Sequence, residues 1–135
     1  MLREAKQKKR IVVADDDDAI LELVTIRLEL AGFHVSGART GVEALKRVKS
    51  FAPHGLVLDI GLPTIDGFDV LSALKRLGGN LPVLMLTARH SSSDIGRAMS
   101  LGARDFLAKP FDDKQLIERV SRLLEDQPKM RWTAI

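Results

Sequence analysis

Short apolar runs punctuate this chain, and most end abruptly on a polar or charged residue. Residues 10–14 read Arg-Ile-Val-Val-Ala and run into Asp15-Asp16-Asp17-Asp18. Leu56-Val57-Leu58 ends on Asp59, with Gly61 and Pro63 close behind. Residues 81–86 are almost wholly apolar and end on Thr87, and residues 104–108 end on Lys109-Pro110-Phe111. A weaker run, Phe33-His34-Val35-Ser36, completes five. Continuous runs of this length, bounded by turn residues, predict strands buried on both faces.

Between the runs the period changes to that of a helix. Ile20, Leu23, Val24, Leu28 and Ala31 predict the inner face of a first helix, stopped by Gly32. Thr40 and Glu43 have capping-box spacing ahead of a second helix with Ala44, Leu45 and Val48 inside. Asp66 caps a third, with Phe68, Leu71, Leu74 and Leu77 inward and Gly78-Gly79 at its end. The fourth, at about 94–101, is the weakest, with Ile95, Ala98, Met99 and Leu101 after the polar segment His90 to Ser93. Asp112 and Gln115 form another capping-box pair before the cleanest stripe, Leu116, Ile117, Val120, Leu123 and Leu124. Strand and helix alternate five times, which predicts an α/β fold: a five-stranded parallel sheet with helices on both faces.

A length of 135 residues suits a single core. The division expected is a basic leader at 1–9, a domain at 10–126 and a tail at 127–135. The net charge of +3 owes much to Arg3, Lys6, Lys8, Lys9 and Arg10, set against Glu4, so the rest is near neutral. The leader is read as a solvated, frayed terminus. The absence of cysteine excludes disulfides, zinc–thiolate sites and thiol nucleophiles, and suits a reducing cytoplasm. No apolar run reaches the ~20 residues of a membrane span. The polar N-terminus argues against a secretory signal.

The chemistry lies in the residues that end the strands. Ligands of an open parallel sheet bind outside the carboxyl ends of its strands. Asp15, Asp16, Asp59, Thr87 and Lys109 all fall there. Two carboxylates ~4 Å apart repel by about 4 kcal/mol at an effective dielectric near 20. Protonation, pairing with Lys109 or a bound cation can each relieve this. An all-oxygen donor set with room for water and phosphate favours Mg²⁺ over a Ca²⁺ cage. With Mg²⁺ and Lys109 present, the site would favour a phosphoryl group. Asp59 is then the candidate nucleophile, and the Thr87 hydroxyl a donor to the new phosphoryl oxygens.

Four segments together resemble the receiver domain of response regulators in two-component signalling. They are residues 12–17, Leu56 to Gly67, residues 84–88, and Asp105 to Phe111. The resemblance covers about residues 10–126. It implies a flavodoxin-like fold with strand order 2-1-3-4-5. It also implies that Asp59 accepts phosphate from the phosphohistidine of a histidine kinase or histidine phosphotransfer protein. Asp16 would hold Mg²⁺ directly, Asp15 largely through water, and the Gly61 carbonyl would complete the ligands. Lys109 would pair with the phosphoryl group, and its bond to Pro110 would be cis. The backbone of Ala88 would touch the phosphoryl group, and Thr87 and Phe106 would be the switch pair. The output would be partner recruitment or phosphorylation-dependent homodimerisation through the fourth helix, fifth strand and fifth helix. The domain would catalyse only its own phosphorylation and dephosphorylation, in the cytoplasm, without touching nucleic acid or membrane.

The resemblance also implies that side chains two residues after Asp59 and Thr87 influence the phosphoryl lifetime; Gly61 offers none and Arg89 is long and cationic, so slow self-dephosphorylation is expected. A haloacid-dehalogenase-type phosphatase is the enzymatic alternative, but it would have a second Asp where Gly61 stands. A phosphorylation-independent interaction module is the other alternative, and the intact set of Asp15, Asp16, Asp59, Thr87 and Lys109 argues against it. Asp15 does not open an EF-hand, because Ile20 and Ile26 occupy the positions of its Gly and Glu. Gly32 and Gly37 have P-loop spacing, but Ala38-Arg39 replaces the Lys-Ser/Thr pair. His34, His54 and His90 are scattered and read as non-catalytic. The tail has no room for an output domain. A stand-alone protein is expected, with a domain cut from a longer regulator as the alternative.

Overall fold

The computed structural model describes residues 7–125. The first six residues of the expected leader and the whole expected tail lie outside them. Ten elements alternate: β1 Arg10–Ala14, α1 Asp18–Leu30, β2 His34–Ala38, α2 Gly41–Phe51, β3 Gly55–Leu58, α3 Gly67–Arg76, β4 Val83–Thr87, α4 Ser92–Ser100, β5 Asp105–Ala108 and α5 Asp113–Glu125. The strands form one parallel sheet in the order β2-β1-β3-β4-β5. This is the α/β architecture and order expected.

Alternate residues of the doubly buried strands serve two cores. Val12, Leu56, Leu58, Val83 and Met85 pack under α2, α3 and α4. Ile11, Val13, Val57, Leu84 and Leu86 pack under α1 and α5. No helix of the described residues is long and apolar enough to cross a membrane.

The helix starts follow capping chemistry. Asp17 accepts from the Ala19 and Ile20 amides, and Ser91 from that of Asp94. Asp66 and Asp69 satisfy each other's backbone amides in a full capping box, as do Asp112 and Gln115. The box expected at Thr40 is half formed. Thr40 accepts from Glu43 N–H, but the Glu43 carboxylate accepts from Arg39 N–H, one residue upstream.

Several expectations are corrected. Leu21, Val24 and Leu28 are the buried residues of α1, whereas Leu23 is 37% exposed. Ala31, expected inside, is exposed as the C-cap of that helix. Both sides of α1 carry apolar residues, so its period does not distinguish them. Leu77 is not inward: it caps α3 and is 77% exposed. The second strand begins at His34 and continues to Ala38, because Gly37 and Ala38 pair with Val13 and Ala14. Arg10 opens β1 as expected, and its guanidinium also binds the Phe51 and Ala52 carbonyls at the end of α2. A helix C-terminus with unpaired carbonyls attracts such a cation.

Candidate functional site

Three residues extend the parallel ladders one step beyond their strands. Asp15 N–H donates to Ala38 O at 3.0 Å, Asp59 N–H to Ala14 O at 3.1 Å, and Lys109 N–H to Thr87 O at 3.0 Å. Asp15, Asp59, Thr87 and Lys109 are thereby held at one carboxyl-end rim by backbone hydrogen bonds.

The carboxylates of Asp15, Asp16 and Asp59 converge, each offering an oxygen within 4.8 Å of the others. Asp15 and Asp59 are buried, and Asp16 is exposed. Lys109 Nζ lies 2.6 Å from Asp15 Oδ2 and 3.2 Å from Asp59 Oδ2. Asp15 Oδ1 also accepts from Asp17 N–H at 2.9 Å. Burial pushes the Asp15 carboxyl above its ordinary value, against the opposing pull of Lys109 and the Asp17 amide. Burial pulls the Lys109 ammonium down, but the bonds and charges of Asp15 and Asp59 together outweigh it and the pKa is raised. The 2.6 Å contact to an ammonium held in its charged form argues for the ionised carboxylate.

The donor set is oxygen throughout, and Asp16 faces solvent. Both features fit a hard, hydrated divalent cation such as Mg²⁺. Gly61, the expected carbonyl ligand, is exposed just beyond Asp59.

The loop from Asp59 to α3 depends on two close approaches. Gly67 N–H donates to Ile60 O at 2.7 Å. A Cβ on Gly67 would collide with the Asp59 carbonyl and lie 2.7 Å from Ile60 Cα. Gly41 N–H donates to Pro63 O, and a Cβ there would collide with Ile65 O. Only glycine lets α2 and α3 clamp the loop that carries Asp59.

The Thr87 side chain is buried, and its Oγ1 accepts from Arg89 N–H at 3.1 Å. That leaves the hydroxyl proton for another acceptor. Ala88, between them, is exposed. Phe106 is only partly buried against the core. The Lys109–Pro110 peptide is cis. His34 lies edge-on to Phe51, and His54 Nδ1 accepts from Arg10 N–H, both at the amino end of the sheet. His90 is exposed.

Sequence reasoning missed three partners. Arg119 of α5 donates to Phe106 O at 2.9 Å and reaches Asp105 at 3.2 Å. Arg89 pairs with Asp94 at 3.2 Å. The guanidiniums of Arg89 and Arg97 lie 5.7 and 4.1 Å from the centre of the Phe68 ring. Arg119 is separated from Phe106 by a strand end, a turn and the first part of α5, 13 residues in all, so no local spacing announces the contact.

The family model "Response regulator receiver domain" matches residues 11–121. The chain is 43% identical over 115 residues to the response regulator MprA of Mycobacterium ulcerans (strain Agy99), an alignment that covers 85% of this chain and 50% of that protein. The chain thus spans about half the length of the curated relatives it matches. Among solved structures, a CheY-like receiver domain protein from Methanospirillum hungatei JF-1 aligns with a TM-score of 0.86 at 29% identity, over 92% of this chain and 99% of that one. The non-phosphorylated HemR receiver domain from Leptospira biflexa aligns with a TM-score of 0.82 at 33% identity, over 89% and 97%. With its parallel order and its acidic rim closed by a lysine, the chain belongs to the response regulator receiver domain family.

Proposed function

We propose that Asp59 accepts a phosphoryl group and that the chain is a phosphorylation-controlled switch. One observation carries the reading: Asp15, Asp16 and Asp59 converge at a strand rim while Lys109 bridges Asp15 and Asp59. An Asp59 carboxylate oxygen attacks phosphorus in line with the P–N bond of a phosphohistidine. That bond breaks, its electron pair returns to the imidazole, and an acyl phosphate remains on Asp59.

Lys109 turns part of its donor capacity from Asp59 to the new phosphoryl oxygens. The Thr87 hydroxyl donates to another while Oγ1 keeps its bond from Arg89 N–H. The Ala88 backbone contacts the same group. Asp15, Asp16, Asp59 and the Gly61 carbonyl would hold Mg²⁺, which supplies the positive charge that phosphoryl transfer requires.

The donor is a histidine kinase or a histidine phosphotransfer protein. The chain promotes only its own phosphorylation and dephosphorylation, in the cytoplasm. Its output is recruitment of a downstream protein, control of an output domain, or pairing with a second copy through α4, β5 and α5. Two features support a movable output face. α4 is short, with Ala98 alone fully buried, and Phe106 is only partly packed.

Intact mass after incubation with a small phosphodonor tests the reading, with and without Mg²⁺ and beside Asp59→Asn. The expected result is a Mg²⁺-dependent gain of one phosphoryl group that the variant lacks. An equal gain in the variant would show that another residue is the acceptor.

A further inference from the structure

A groove opens between α2 and α3, on the sheet face away from α1 and α5. Val42, Leu45, Lys46 and Lys49 line one side, at i, i+3, i+4 and i+7 along α2, and Leu74 and Leu77 line the other. It encloses about 580 Å³. A second concavity of about 370 Å³ shares Val48, Leu74 and Leu77 with it and continues past Leu81 to Leu101. Val42 is 41% exposed and Leu77 77%, so this apolar surface is uncovered by any described residue. A concave apolar surface between two helices can receive the apolar side chains of a partner.

The charge around it has one sign. Lys46 and Lys49 line the groove, Lys75 and Arg104 line its continuation, and no carboxylate lines either. Neither Lys46 nor Lys49 forms an ion pair with a described residue.

We propose that this groove docks an amphipathic helix of a partner protein, with apolar anchors at i, i+3, i+4 and i+7 flanked by Glu or Asp. The apolar floor takes the anchors, and Lys46 and Lys49 meet the carboxylates. A concavity between two helices suits a helix, while an anionic membrane surface needs apolar groups that project into it. None of the lining residues belongs to the acidic rim, so docking does not require a phosphoryl group on Asp59.

The test is fluorescence anisotropy with the full 135-residue chain. The probe is a labelled peptide of about 18 residues, a length of roughly five helical turns. It carries Leu at i, i+3, i+4 and i+7 beside Glu, and a control of equal composition spreads its Leu around the helix. The expected Kd is on the order of 10 µM at low salt, weakening as salt rises. Lys46→Glu/Lys49→Glu is expected to weaken binding by about tenfold or more. Leu77→Lys is expected to weaken it as well, and Glu22→Gln, exposed on α1 across the sheet, to leave it unchanged. These side chains are exposed, and circular dichroism checks that both groove variants fold. Equal binding of the control peptide, or undiminished binding by the Lys variant, would overturn the proposal. So would affinity for phosphatidylglycerol vesicles without affinity for the peptide. Self-association by light scattering that Leu77→Lys abolishes would assign the groove to a second copy instead, and would likewise overturn it.

Discussion

Lys109 stands between two acids that would otherwise repel, and its place explains why a buried carboxylate pair is tolerated. Two such charges at ~4 Å oppose each other by about 4 kcal/mol at an effective dielectric near 20. The ammonium at 2.6 and 3.2 Å offsets that repulsion and leaves Asp59 one shared donor. Two neighbours bear on how long a phosphoryl group would last. Gly61 carries no side chain to orient an attacking water, and nothing lies within 4 Å of a Cβ placed there. The Arg89 side chain is held by Asp94 and turned over Phe68. The phosphorylated chain is therefore expected to decay over minutes or longer. Gly61→Asn has room for an amide that could position water, and should shorten the half-life by about tenfold or more. Following the phosphorylated mass over time checks this. Decay within seconds in the unaltered chain, or no change in the variant, would count against it.

At the scale of elements, capping chemistry was mostly legible in the sequence because it is local. Asp66 as a cap and the box at Asp112–Gln115 follow from local spacing, whereas the Asp69 half of the Asp66 box was not expected and the box expected at Thr40 forms only by half. The buried face of α1 was legible only in part: Val24 and Leu28 are buried and Ile20 packs against the core as expected, but Leu23 and Ala31 are exposed. Leu21 faces the core, while Leu23, Ile26 and Leu30 are exposed, so apolar residues occupy both sides of the helix. The periodic signal therefore cannot say which side meets the sheet.

The β3–α3 loop is the second case. The sequence shows Gly67 as a turn residue, but its role is set by the Asp59 carbonyl against which it packs. Gly67→Ala is expected to destabilise the domain by about 1–3 kcal/mol, because the colliding atoms are backbone and cannot rotate away. It should also slow phosphorylation at Asp59. Urea unfolding and the phosphorylation time course measure the two effects, and wild-type values in both would refute the clamp.

At the scale of the whole molecule, the amino end of the sheet contains a titrating joint far from the acidic rim. Arg10 N–H donates to His54 Nδ1 at 3.0 Å, and His54 N–H donates to Arg10 O at 2.7 Å. Burial first, then the positive charges of Arg10 and Lys9, hold the imidazole below its ordinary 6.5. The unfolded chain takes up this proton near 6.5 and the folded chain only at lower pH. The contribution to stability is thus complete above 6.5 and is lost as pH falls from there through the folded pKa. His54→Asn keeps an acceptor without titrating. Between about pH 7.5 and about pH 5.5 the Tm of the unaltered chain should fall more steeply than that of the variant. Parallel slopes would show that His54 is not the group responsible.

The sequence by itself determined the presence of five strands, the burial of β1, β3 and β4 on both faces, and the reactive residue that ends each of four of them, whereas the edge strands β2 and β5 are only partly covered. These are local properties, written in runs of apolar residues and in the first polar residue after each run. Its motifs also carried the resemblance from which the strand order was expected. Only the tertiary structure decided that Lys109 bridges two acids 94 and 50 residues away, that Arg119 holds the Phe106 carbonyl, and that Leu77 faces solvent. Those outcomes depend on ladder register and on which helix covers which face, and residues distant in sequence settle them together.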